Sequence, residues 1–526
     1  MISAGASASA GGLCKGFFGP LDVRKEGVEG DGQLDGPDVA ALGWGRLEQS
    51  GTGAASDDGS ATEFEPSGIA APLGLGTIKS RLVSLFVVFR ARRYNTVSIR
   101  SLLAVGFVAV ALLTQGCSTP PRKDAVPAAL TSQAEIPGLP GVRYRLTEVE
   151  AMAREGAESV EREKRYLAAQ GHSGPLPPAV FLAVSGGGDA GAFGAGLLNG
   201  WTKAGTRPQF KLVTGVSTGA LIAPFAFLGP KYDDRLKDFY TNVGPQDIVE
   251  ERSLWAAITN DALADNRPLW NRVATEVDRA LLDEIAAEYA KGRLLLIGTT
   301  DLDARQGVIW NMTKIASSKD PRALDLFRAV MVTSAAIPGA FPPTMVDVEV
   351  DGKAYQEMHV DGGAVAQVFL YPPSLSVSMP KGKAPVVRKR VAYIIRNSRL
   401  DPEWAQVERQ ALSISGRAIT SLIANQGVGD LYRIYSTTQR DKVDFNLAYI
   451  PKEFDAPHPH EFDTEYMRKL YDFAYRRSAG GYPWAKLPPG LAAGDLAVTR
   501  PGAGYVSAGP APPGRRAPPR TRHRTG

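Results

Sequence analysis

Two apolar rhythms alternate along the middle of the chain. Residues 144–170 place Leu, Val, Ala and Met among charged residues at helical spacing, which predicts a helix. Residues 179–184 (AVFLAV) instead form an unbroken apolar run, the pattern of a strand buried on both faces of a parallel sheet. A Gly-rich turn follows at once. After it come a small-residue helix over about 190–204, a second short strand over 210–214 and another helix starting after Ser217. Strands and helices alternating through short joints build an α/β sheet on right-handed crossovers. Further strands are expected at 293–299 (RLLLIGT) and 390–395 (RVAYII), with a helix over 321–334 between them. Residues 346–360 alternate with period two around Asp351-Gly352, the signal of a hairpin. The expected fold class is α/β, with a mainly parallel central sheet and helical additions over 403–477.

The rhythm holds over 142–487, the expected folded domain. Residues 1–96 are rich in Gly, Ala, Ser and Asp with little periodicity, and residues 488–526 are a basic Pro/Gly/Arg stretch expected to be disordered. Within 97–116 the pattern is that of an export signal. Arg92, Arg93 and Arg100 precede the apolar run 101–113 (SLLAVGFVAVALL), then Thr114-Gln115-Gly116-Cys117-Ser118. The run is shorter than the roughly 20 apolar residues a bilayer span needs, and it suits a signal h-region. A small residue before Cys117 resembles the lipobox of bacterial lipoproteins, in which the cysteine carries the lipid. The expectation is therefore an exported protein anchored through Cys117 to a bacterial membrane and facing the periplasm, with the outer membrane preferred. Translation is expected to begin near Val97, with 1–96 either no part of the translated protein or a disordered leader, and Pro-rich 117–141 is expected as a tether.

Composition narrows the chemistry. The only cysteines are Cys14 and Cys117, too few for a disulfide framework or a Cys-rich zinc site. The net charge of +5 would suit a nucleic-acid partner, but residues 500–526 hold six arginines and no acid, leaving the rest at about −1. No nucleic-acid partner, cofactor or metal is expected. Asp301, Asp303, His458 and His460 form no convincing ligand set.

Three motifs carry candidate chemistry. Gly215-Val216-Ser217-Thr218-Gly219 is a G-x-S-x-G pentapeptide between an expected strand and helix. A serine on such a turn projects its hydroxyl above the sheet, and the glycines remove Cβ atoms from the bend. Gly186-Gly187-Gly188-Asp189-Ala190-Gly191 follows the first strand. A dinucleotide turn would require an acid roughly 20 residues on, and none occurs between Asp189 and Asp233. The better reading is a nest of backbone N–H groups for an oxyanion, supplied by Gly186, Gly187, Gly188 and Gly191. Asp361-Gly362-Gly363 closes the alternating segment and offers a base for the serine proton. Histidine is the other choice of base. His172, His359 and His523 are poorly placed, whereas His458 and His460 would complete a Ser, Asp, His order typical of α/β-hydrolases.

Taken together, the glycine triplet with Gly191, the pentapeptide around Ser217 and Asp361-Gly362-Gly363, in this order, resemble the patatin-like phospholipases. Residues 334–343 (SAAIPGAFPP) are similar to that family's substrate-side loop. The resemblance implies a patatin-like three-layer α/β/α domain and a Ser217–Asp361 dyad without histidine. It also implies an oxyanion hole from the Gly-rich turn and hydrolysis of lipid or simple ester substrates through an acyl-enzyme. Ala190 stands where the family usually carries Lys or Arg, which favours neutral lipids or simple esters over a phosphate headgroup. The alternatives are a Ser-Asp-His esterase and a lipid-binding lipoprotein without catalysis.

Overall fold

The computed structural model describes residues 121–251, 262–376 and 388–491. The expectations for 1–96, 97–116, Cys117 and the tail beyond 491 lie outside the described residues. Among the described residues the apolar runs form the middle of a nine-stranded sheet. In chain order its strands are β1 (Arg143–Arg145), β2 (Ala179–Val184), β3 (Leu212–Val216), β4 (Leu294–Asp301), β5 (Gln306–Asn311), β6 (Thr344–Val350), β7 (Lys353–Asp361), β8 (Arg390–Arg399) and β9 (Asp444–Ile450). Strands β4, β3, β2, β8 and β9 lie side by side and parallel. Beyond β4 the sheet turns antiparallel through β5 and then β1.

Side chains of β2 divide by parity, as the pleat requires. Leu182 and Val184 enter one core with Phe193, Leu197, Ile222 and Leu470. Phe181 and Ala183 enter a second with Met152, Leu431, Ile434 and Phe445. Helices Gly191–Lys203, Thr218–Leu228 and Thr464–Ala479 supply the first layer, and helices Val149–Ala169 and Ala411–Arg440 contribute to the second. The chain is therefore an α/β/α sandwich with a largely parallel sheet.

Several boundaries differ from the sequence reading. The expected helix over 144–170 begins only at Val149, because 143–145 pairs with β5 as an edge strand. The second strand lies two residues later than expected, and residues 403–477 hold strand β9 between their two helices. Strand β5, absent from the sequence reading, follows a tight turn in which Arg305 has φ +52°. The hairpin turns where expected, with Asp351 and Gly352 both at positive φ, as a type I′ turn requires.

The tether expectation for 117–141 is corrected over its described part. Residues 128–133 form a 3₁₀ helix, Glu135 bridges Glu349 on β6, and Val126, Ala134, Ile136 and Leu139 are buried. Proline content suggested an extended spacer, but these apolar side chains have a core to enter, and that decides the matter.

Candidate active site

Ser217 stands where the chain leaves the sheet. Strand β3 ends at Val216, the Thr218–Leu228 helix begins at once, and Ser217 is held at φ +55°, ψ −128°, a backbone conformation an L-residue adopts only under constraint. Part of that constraint is steric, since a Cβ on Gly219 would lie 2.2 Å from the Val184 carbonyl oxygen. Another part is a hydrogen-bond relay. The Ser217 N–H donates to Ser334 Oγ (3.0 Å), whose hydroxyl donates to the Gly298 carbonyl (2.6 Å). Gly215 packs as tightly against the Gly219 carbonyl.

Asp361 reaches Ser217 through strand topology. One edge of β4 is occupied by β5 from Leu296 to Asp301. The other edge carries β3, whose last residue Val216 pairs with Gly298. Strand β7 takes over on that vacated edge, with Asp361 opposite Thr299. Asp361 thus occupies the next position along β4 from the place where the chain departs toward Ser217. Its carboxylate accepts a hydrogen bond from the Gly363 N–H at 2.7 Å and lies near the Ser217 hydroxyl. Burial pushes the Asp361 carboxyl up to about 7, against the lowering effect of those two groups. Gly362 lies in the short turn after Asp361, against the Gly298 carbonyl. Residues 334–343 tie the two halves together, because the Ala336 carbonyl accepts from the Asp361 N–H at 2.8 Å.

The Gly-rich turn lies beside Ser217, and a Cβ on Gly186 would come within 2.9 Å of the Ser217 Cβ. Its four glycines are not equivalent. The Gly186 N–H donates to the Gln367 carbonyl (3.0 Å), and the Gly191 N–H closes a helical turn onto Gly188 and Asp189. These two shape the turn and are corrected as oxyanion donors. The N–H groups of Gly187 and Gly188 have no such partner among the described residues. Gly187, at φ +152°, could carry no side chain, as a Cβ would fall 1.8 Å from the Asn397 carbonyl oxygen.

Asn397 is a residue the sequence reading missed. Fully buried on β8, it donates from its N–H to Ser185 Oγ (2.8 Å) and from Nδ2 to the Ser185 carbonyl (2.9 Å). Its Oδ1 accepts the Gly194 N–H (3.0 Å), so one amide fastens the end of β2 to the following helix. No local pattern marks it, because its partners lie about two hundred residues away in the chain.

The histidines go elsewhere. His458 Nε2 lies 2.7 Å from Asp189 Oδ2, a hydrogen bond that raises the imidazole above its ordinary value. His460 is exposed near Asp463. His359 is buried between Thr299 and Glu357. Among the described residues two clusters have metal-ligand spacing, Asp189/His458/Glu461 and Asp301/Glu357/His359. In the second, Arg143 and Arg145 bind Glu357, and Arg145 also binds Asp301. In the first, Asp189 Oδ2 also accepts the Phe462 N–H. The second arrangement is accounted for by ion pairs and hydrogen bonds.

An apolar cavity adjoins Ser217, walled by Leu221, Tyr240, Leu269, Ile337, Phe341 and Phe462. A hydroxyl beside a buried carboxyl of raised proton affinity, with unpaired N–H groups and an apolar recess close by, can bind an acyl group and activate the hydroxyl against its carbonyl.

Residues 182–372 match the family model described as patatin-like phospholipase. No curated protein matches the chain. Among solved structures, VipD from Legionella pneumophila is similar at 9% identity and a TM-score of 0.30, covering 58% of this chain and 66% of its own. The type III effector protein ExoU is similar at 14% identity and a TM-score of 0.19, covering 58% of this chain and 53% of its own. This chain thus spans less than two thirds of either structure.

Proposed function

We propose that the chain is a serine acyl hydrolase, acting on lipid or simple ester substrates through an acyl-enzyme on Ser217, with Asp361 as base. The observation that carries this reading is the strand register that sets buried Asp361 one position along β4 beyond the end of β3, where Ser217 stands on its turn. An ordinary carboxylate, at about 3.9, is a poor acceptor of a hydroxyl proton at neutral pH, and burial, which raises Asp361 to about 7, brings it close to the working pH. Ser217 Oγ attacks the ester carbonyl while its proton passes to Asp361. The N–H groups of Gly187 and Gly188, with the N-terminal end of the Thr218–Leu228 helix, stabilise the oxyanion. Collapse of the tetrahedral intermediate breaks the C–O bond, and the leaving alcohol takes the proton from Asp361. Water, deprotonated by the same carboxylate, then cleaves the acyl-enzyme and restores the free serine. The match of residues 182–372 to the patatin-like phospholipase model supports hydrolysis in general.

A histidine triad draws no support from the site, because His458 binds Asp189 rather than Asp361. The order of Arg92, Arg93 and Arg100, the apolar run 101–113 and Cys117 supports export and lipid anchoring on Cys117, toward the periplasm and preferably at the outer membrane.

The deciding experiment is fluorophosphonate labelling with turnover of p-nitrophenyl butyrate. Wild type should label and turn over, and Ser217→Ala should do neither. Equal labelling of both proteins would mean that the nucleophile lies elsewhere.

A further inference from the structure

The cavity beside Ser217 measures about 40 Å³. That is well below the roughly 150 Å³ of an apolar cavity that takes up benzene, so the recess is small. Most of its wall belongs to the main core and is fixed by packing, with Leu269 and Phe341 among the buried residues. Phe462, only partly buried, comes instead from the segment just before the Thr464–Ala479 helix.

Phe462 is held there by its own backbone. It has φ +60°, a left-handed conformation unusual for an aromatic residue. Its N–H donates to Asp189 Oδ2 (2.8 Å), on the Gly-rich turn. The same oxygen lies 2.7 Å from His458 Nε2, and the His458 ring stacks on Tyr466 at 4.0 Å between centroids. A side chain from the oxyanion turn thus anchors the segment that presents Phe462 to the cavity.

We propose that Phe462, pinned through Asp189 and His458, sets the acyl-chain limit and confines the site to short acyl groups of about two to four carbons. This rests on the acyl-hydrolase reading above and narrows its substrate class. Acyl carbons beyond the third or fourth meet the Phe462 ring. Each methylene that a recess cannot take is worth roughly 10-fold or more in kcat/KM.

The test is a p-nitrophenyl ester series from acetate through butyrate and octanoate to laurate, on wild type, Phe462→Ala and His458→Gln. Wild type should be fastest on acetate or butyrate. Phe462→Ala should raise the octanoate-to-butyrate ratio of kcat/KM by about 10-fold or more. His458→Gln lies outside the wall and should move that ratio in the same direction by less, since it only loosens the hold on Phe462. A folding defect would lower every ester alike and leave the ratio where it was, so a flat ratio in both variants overturns the proposal. So does a wild type that prefers octanoate or laurate. Wild type that turns over no ester of any length and takes no fluorophosphonate on Ser217 removes the acyl-hydrolase reading, and the limit with it. Turnover with a flat ratio removes the limit alone.

Discussion

Asp361 is 3% exposed, and its proton affinity has consequences at both ends of the pH scale. Only the carboxylate can accept the Ser217 proton, so kcat/KM should rise about tenfold per pH unit up to about 7 and then level off. Stability moves the other way. With a folded value near 7 against 3.8 unfolded, the native state holds a proton between those values that the unfolded chain has lost, so stability falls as pH rises through that window. The gap corresponds to about 4 kcal/mol as an order of magnitude. Asp361→Asn keeps the shape and removes the charge. It should cost roughly 10²- to 10⁴-fold in kcat/KM while gaining stability on wild type by up to about 4 kcal/mol between pH 4 and pH 8. Urea unfolding at the two pH values reads this. A stability difference independent of pH would mean that Asp361 is not the buried carboxylate described above.

At the scale of elements, the site depends on how closely helices and turns approach. The small residues expected over 190–204 serve the contact between the Gly191–Lys203 and Thr464–Ala479 helices. Cβ atoms on Gly196 and Gly200 would lie 2.2 Å from the carbonyl oxygens of Tyr471 and Tyr475. Backbone cannot yield as a flexible side chain can, so Gly200→Val should destabilise the protein by about 3 kcal/mol, visible as a lower urea midpoint. Gly416 is the contrast, a glycine inside the Ala411–Arg440 helix with nothing near its missing Cβ. Gly416→Ala should stabilise by about 0.5–1 kcal/mol. The reverse order for the two variants would refute the packing account.

For the whole molecule, the burial of Val126, Ala134, Ile136 and Leu139 changes what an anchor at Cys117 would mean. Arg122, Lys123 and Asp124 are already tied to Asp303, Asp347 and Gln356, so only about four residues would separate a lipidated Cys117 from the folded domain. At about 3.3–3.6 Å per residue that is a reach of no more than about 15 Å. The domain would then be held at the membrane surface rather than on a long tether. Cys117→Ser should move the protein from the membrane pellet to the soluble fraction, leaving turnover of a soluble ester intact. Retention of the Cys117→Ser protein in the pellet, together with mature material still carrying residues 1–96, would defeat the anchoring proposal.

The sequence by itself determined what depends on neighbours in the chain. Unbroken apolar runs gave β2 and β4, because a strand buried on both faces has no polar side to show. The placement of Ser217 between a strand and a helix was legible for a related reason, since a sharp bend needs glycines within a few residues. Asp351-Gly352 announced its turn through the positive φ both residues adopt. Other features were decided only in three dimensions. Asp361 meets Ser217 because β3 leaves an edge of β4 that β7 then occupies, and pairing between distant strands leaves no local signature. Asn397 and Ser334 became site residues by the same route. Of the four glycines in the turn after β2, composition made all alike, and only the folded backbone showed which N–H groups were already bonded. His458, set in the right order for a triad, was drawn to Asp189 instead, because electrostatic partners are chosen by distance in space and not by order along the chain.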